Sequence, residues 1–183
     1  MNSRICIVAK GSSLLSHKIG SLIDSHDIII RVNHLPNDNN HDVIGLKTHI
    51  FSTQSPDKLS NHIDELKNLD IWISSDDAEC YEQFNLILKM INENEMSYIK
   101  KYFGNVANLN NSYMPDAGIS SILLALLRYP SHKINVCGFD LYENGNISID
   151  NVKKDSSNFT TPVFQQVLYY KTLIKSGTIT QLY

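Results

Sequence analysis

Three cysteines, one tryptophan and five prolines are spread over 183 residues, and no apolar run approaches the roughly 20 residues that a membrane-crossing helix needs. No charged-then-apolar leader opens the chain, so the expectation is a soluble protein that stays in the compartment where it is made. Basic blocks are missing as well. Sixteen Lys and Arg stand against 19 Asp and Glu, and a formal charge of −3 with a pI near 6.1 speaks against a nucleic-acid partner. Cys6, Cys80 and Cys137 are odd in number and their spacing fits no zinc site, which points to reduced cytosolic thiols and not to a disulfide framework. Asn110, Asn146 and Asn158 head Asn-x-Ser/Thr triplets, which carry little weight without a secretory route.

What is present is a run of short β-branched segments separated by helical ones. Arg4 to Ala9 reads as a buried parallel strand that stops at Lys10-Gly11-Ser12-Ser13, where Ser12 or Ser13 is placed to cap a helix carrying Leu14, Leu15, Ile19 and Leu22. The stretch Ile23 to Asn33 is the most telling. Its apolar core ends in Arg31-Val32-Asn33, a strand that delivers an amide side chain to its carboxyl edge, where open α/β sheets bind small ligands. A polar loop over 34–42, a third strand over Lys47–Ser52, a helix over Asp57–Leu69 and a fourth strand over Ile71–Ser74 follow. The segment 76–103 shows no strand alternation and reads as one or two helices, with Asp76 and Asp77 as a cap. An apolar helix over Ala117–Tyr129, a strand over Ile134–Phe139, a turn over Tyr142–Asn146, a helix from Thr161 to Ile174 and a closing strand over Thr178–Tyr183 complete the pattern. Alternating strands and helices predict a single Rossmann-like α/β domain over residues 1–183, with a doubly wound, mostly parallel sheet.

Three segments in order carry a resemblance. Ile23 to Asn33 with Asp42-Val43-Ile44-Gly45-Leu46-Lys47-Thr48-His49 resembles the long sialyl motif of the sialyltransferases, which use a CMP-activated sugar. Pro115-Asp116-Ala117-Gly118-Ile119 with Asn135-Val136-Cys137-Gly138-Phe139-Asp140 resembles their short motif. The stretch 136–145 is also similar to bacterial lipooligosaccharide sialyltransferases. The resemblance implies a GT-A-like sialyltransferase variant that is metal-independent and inverting and uses no cofactor, and the chain has no Asp-x-Asp pair to hold a metal. Its donor would be a CMP-activated sugar, sialic acid or Kdo. Its acceptor would be a capsule or lipooligosaccharide glycan met in the cytoplasm, with at most peripheral contact with the inner membrane.

By the same resemblance, Lys10, Gly11, Ser12, Ser13 and Asn33 would hold the phosphate and ribose of CMP. Asp116, Ala117 and Gly118 would meet nucleotide and donor sugar, and Asp140 and Tyr142 belong to the stretch beside the leaving phosphate. Donors around that phosphate lower the barrier because negative charge develops there. The chain departs from the pattern where a general base is needed. The histidine that precedes the last helix in these families is replaced by Asn158-Phe159-Thr160-Thr161-Pro162, and threonine accepts no proton near neutral pH. His34 and Asp116 are therefore the candidates to accept the acceptor's proton, the other readings being a loop histidine and a helix cap. A nucleotide-binding module without catalysis and an α/β domain that shares only sheet architecture are the competing readings.

Overall fold

The protein is described by a computed structural model covering residues 3–75, 79–81, 83–84, 86, 88–107, 114–140 and 161–183. Among these residues, strands β1 (Arg4–Val8), β2 (Ile28–Val32), β3 (Ile50–Thr53), β4 (Asp70–Ile73), β5 (Leu88–Met90), β6 (Lys133–Cys137) and β7 (Thr180–Gln181) form one sheet in the order β5-β4-β3-β2-β1-β6-β7. Every pairing is parallel. The strand order reverses between β1 and β6, so the crevice where an α/β sheet receives a ligand lies at their carboxyl ends.

Alternate side chains of each strand bury into opposite layers, and this is the period of two that a doubly wound sheet demands. Ile5, Ile7, Ile30, Val32, Ile50 and Trp72 pack beneath helices α5 (Glu93–Ala107), α6 (Ala117–Arg128) and α7 (Thr161–Lys175). Cys6, Val8, Ile29 and Cys137 pack on the other face against Leu14, Ile23 and Ile44, carried by a 3-10 turn (Ser12–Ser16), α1 (Gly20–Asp24) and α2 (His41–Ile44). Phe51, Ile71 and Ile73 meet Leu59 and Leu66 of α3 (Pro56–Ser60) and α4 (Ile63–Leu66) on that same side.

Helix α6 shows why the local sequence folds as it does. Asp116 caps it, its carboxylate accepting from the Ile119 N–H at 3.0 Å, and Tyr129 ends it one residue before Pro130. Ile119, Ile122, Leu123 and Leu124 are buried on it, each contributing about 1.5–3 kcal/mol of apolar burial. Arg128 at its last turn forms a two-pronged pair with Glu95 (2.8 and 2.9 Å) and lies over the Trp72 ring. This pairing holds the Glu95 carboxyl below its usual range.

Several expected elements differ in detail. The segment after Lys10 is a 3-10 turn and a separate one-turn helix, not one helix capped by Ser12 or Ser13, because both hydroxyls are turned to Asp140. The 34–42 loop holds a turn at Asp38–Asn40 and the start of α2. The 57–69 helix is two short ones. Leu88–Met90, read as helical, is a three-residue edge strand paired with β4, too short for its alternation to stand out. Cys6, Cys80 and Cys137 are free thiols, the first and last buried in β1 and β6 as expected. Asp76, Asp77, the 142–146 turn and residues 110, 146 and 158 lie outside the described residues.

Candidate active site

The long-motif residues build a clasp around the exit of β2. Asp24 at the end of α1 accepts from the backbone N–H groups of Leu46 and Lys47 at 2.9 and 3.0 Å. The turn before them needs Gly45, whose φ of +68° and closeness to the Asp24 carboxylate leave no room for a Cβ. Arg31, fully buried in β2, donates from Nη2 to the Ile44 carbonyl (2.8 Å) and from Nε to the Lys47 carbonyl (3.1 Å) and Thr48 Oγ1 (3.0 Å). Burial pushes its guanidinium down to about 10, with Asp24 opposing the shift, so it stays charged at neutral pH. His49 and His26 serve the same frame. The Ile29 N–H donates to His49 Nδ1 at 3.0 Å, and His26 bridges α1 carbonyls to Asn135 of β6.

This clasp presents Asn33. Its backbone N–H donates to Ser52 O at 3.0 Å, and its φ of +62° is the left-handed conformation, rare outside glycine and best tolerated by Asn or Asp. Its buried Oδ1 has no hydrogen-bond partner, and leaving such an atom unpaired costs about 1–3 kcal/mol. His34 is buried, not a surface-loop histidine, with Nδ1 3.0 Å from the Val32 carbonyl. The carbonyl fixes the Nδ1–H tautomer and makes Nε2 the basic nitrogen.

The carboxyl ends of β1 and β6 form the second corner. Gly11 N–H donates to Gly138 O at 2.8 Å, and a Cβ on Gly11 would collide with the Asp140 carboxylate. Asp140 accepts from Ser13 N–H (3.0 Å), from Ser12 Oγ (3.2 Å) and from Ser13 Oγ. The turn thus already holds an anion, and it is the protein's own. Tyr183, whose hydroxyl sits between the Gly138 N–H and Ser13 Oγ, locks this corner to the end of the sheet. Burial pushes its phenol up to about 12. Lys10 is partly buried at the start of the turn.

Helix α6 supplies the third corner. Gly118 lies against Phe139, since a Cβ there would stand 3.0 Å from Cε1, and Phe139 stacks on Tyr170 of α7. Asp116 N–H donates to Gln166 Oε1 at 2.8 Å, Gln54 Nε2 donates to Pro115 O at 2.7 Å, and Ser121 joins Ser52 of β3 to the Ala117 carbonyl. The structure therefore brings Gly11, Ser12, Ser13 and Asp140 together, sets Ala117 and Gly118 beside Phe139, and places Asn33 and His34 on the β2 side of the same edge. Asp116 is a helix cap here, and Tyr142 lies outside the described residues. Arg31, Gln54, Gln166 and Tyr183 did not stand out in the sequence, where a buried arginine looks like any motif charge and a glutamine in a loop or a helix looks solvated. Among the described residues no group of three or more His, Cys, Asp or Glu is placed to hold a metal ion.

In the segment that builds the clasp and in its fold, the chain is similar to sialyltransferases. Residues 2–77, the part that contains the clasp, match the family model described as glycosyltransferase family 29 (sialyltransferase). The fold is similar to the crystal structure of a mammalian sialyltransferase, with a TM-score of 0.64 and 15% identity over 99% of this chain and 69% of that one. A mammalian sialyltransferase in complex with Gal-β1,3-GalNAc-ortho-nitrophenol is also similar, with a TM-score of 0.62 and 14% identity over 99% and 69% of the two chains. No curated protein matches the sequence.

Proposed function

We propose that residues 1–183 are one nucleotide-sugar-binding domain that moves sialic acid, or a related 2-keto-3-deoxy sugar, from its CMP ester to a glycan hydroxyl, with inversion and without a metal. The observation that carries this reading is Asn33: a half-buried residue in the left-handed conformation, whose buried Oδ1 is unpaired at the carboxyl edge of β2, within the segment matched to the sialyltransferase model. An unpaired acceptor needs a donor, and a ribose hydroxyl supplies one while the amide NH2 faces phosphate. Lys10, the first N–H groups of α6 at Ala117 and Gly118, and Tyr142 stabilise the leaving phosphate as the glycosyl–oxygen bond breaks. The acceptor oxygen adds to the anomeric carbon, CMP departs, and the hydroxyl proton passes to His34 Nε2, with Asp116 the other candidate base. Ser12 and Ser13 act together with Asp140, whose carboxylate a phosphate must displace or sit beside.

Two other readings have their own support. The Asp116-Ala117-Gly118 loop departs from the sialyltransferase pattern, which favours CMP-Kdo as an alternative donor. The absence of any histidine after His132 favours a CMP-binding module without turnover. The acceptor is proposed to be a capsule or lipooligosaccharide glycan reached from the cytoplasm, with at most peripheral membrane contact; no helix among the described residues is long and apolar enough to cross a membrane. Purified protein mixed separately with CMP-sialic acid and CMP-Kdo is expected to release CMP from one of them. Calorimetric binding of CMP without turnover selects the module, and no binding of CMP removes every one of these readings.

A further inference from the structure

Helix α7 buries one face and turns a different chemistry outward. Gln166, Tyr169, Tyr170 and Leu173 are buried. On the opposite side stand Phe164, Leu168, Lys171 and Lys175, at the i, i+4, i+7 and i+11 spacing that keeps residues on one face of a helix. Phe164 is 59% exposed and Leu168 45%, and both lysines are exposed. Tyr102 of α5, edge-on to Tyr169 with ring centroids 6.2 Å apart, carries further exposed aromatic surface next to α7, and the exposed Lys101 precedes it. Single exposed apolar side chains are ordinary. A phenylalanine and a leucine one turn apart, continued by two lysines, form a stripe.

The charge of this stripe is of one sign. Helix α7 contains two lysines and no carboxylate, and none of the 19 Asp and Glu of a chain with formal charge −3 follows Asp155. Positive charge gathered on one stripe of a net-negative protein calls for an anionic partner, and exposed apolar side chains in the same stripe call for hydrocarbon behind that charge. A bilayer bearing anionic headgroups has both. Nucleic acid offers no hydrocarbon, and a packed partner helix would need apolar residues where the lysines stand. We propose that the outward stripe of α7 is a docking surface for an anionic membrane. Phe164 and Leu168 enter the boundary between headgroups and acyl chains, and Lys171 and Lys175 meet the lipid phosphates. Gln166, within a turn of Phe164, accepts from the Asp116 N–H, so the stripe begins at the ligand edge of the sheet and docking sets that edge at headgroup level. The inference names the face that makes the peripheral contact of the proposed function, but it stands on α7 and not on the donor reading.

The test is sedimentation of the full chain, without nucleotide, with vesicles of phosphatidylcholine alone and with vesicles in which about one-third of the lipid is phosphatidylglycerol. Binding is expected to the anionic vesicles only, with release at high salt. Lys171→Gln with Lys175→Gln should weaken partitioning about tenfold or more, and Phe164→Ser with Leu168→Ser by a similar factor. All four positions are exposed, and an unchanged urea midpoint reports that each double variant is folded. Equal sedimentation with neutral vesicles, sedimentation with neither, or double variants that sediment as the parent does overturns the assignment. So does a parent dimer in size-exclusion chromatography that the Phe164→Ser, Leu168→Ser pair disperses, because a second copy then covers the stripe. Calorimetry with CMP on the same parent sample reads the donor site separately. CMP bound without vesicle binding ends the membrane surface alone, and vesicle binding without CMP binding ends the donor reading alone.

Discussion

The two corners of the ligand edge are built on opposite principles. At the exit of β2, Asp24 and Arg31 engage the Ile44 and Lys47 carbonyls and the Leu46 and Lys47 N–H groups, while the Oδ1 of Asn33 is left without a partner. At the exits of β1 and β6 the hydroxyls of Ser12 and Ser13 and the Ser13 N–H are met by Asp140, and Tyr183 closes the corner. One corner is a frame that offers a group to a ligand. The other is a latch whose donors are already engaged.

The sharpest way to break the frame is Arg31→Ala. It removes a fully buried cation from three acceptors, one of them the buried Ile44 carbonyl, and leaves a cavity beside them, at a cost of about 3–5 kcal/mol. Urea unfolding of the variant should show that loss, and Arg31→Lys should restore only part of it, since an ammonium has no fork to span Ile44 and Lys47. A variant as stable as the parent would mean that the clasp contributes nothing.

Asn33→Gly probes the group the frame presents. Glycine adopts the φ of +62° without strain and removes an unpaired acceptor, so stability should stay within about 0.5 kcal/mol of the parent. CMP release from the donor should fall about 100-fold. Loss of activity without loss of stability distinguishes a ligand-binding residue from a structural one, and unchanged release would remove Asn33 from the site.

Asp140→Asn tests the latch and should act in two directions. Weakening charge-assisted hydrogen bonds to the turn costs about 1–2 kcal/mol in thermal or urea denaturation. If phosphate approaches the same turn, removing the carboxylate's charge should tighten CMP binding about threefold. Weaker binding instead would show that Asp140 shapes the turn for phosphate more than it competes with it.

The contrast between the corners also explains what could be read from the sequence. The alternating order of strands and helices was legible because the central strands β1, β2 and β6 are short β-branched runs buried on both faces. The clasp was legible only as a motif, since nothing in Ile28-Ile29-Ile30-Arg31 says that the arginine points inward to three acceptors. The latch was invisible: Ser13 and Asp140 are 127 residues apart, and their pairing depends on β1 and β6 being neighbours. The edge strand Leu88–Met90 was missed because three residues are too few for an alternation to stand out.

The smallest expected effect sits at the latch's outer bolt. The Tyr183 phenol is raised to about 12, chiefly by burial, so the folded state keeps its proton at a pH where the unfolded chain, near 10, gives it up. Its contribution to stability is therefore complete below pH 10 and is lost as pH rises from there through 12. Tyr170 and Tyr169 are buried and raised as well, so they add to the alkaline slope in parent and variant alike. Tyr183→Phe should start about 1 kcal/mol less stable at pH 8, having lost the hydroxyl between Gly138 and Ser13, and should fall less steeply between pH 10 and 12 than the parent. Two denaturation series against pH measure the convergence directly. Parallel curves would show that the phenol's proton is no part of what holds this corner, and that Asp140 alone fixes the turn.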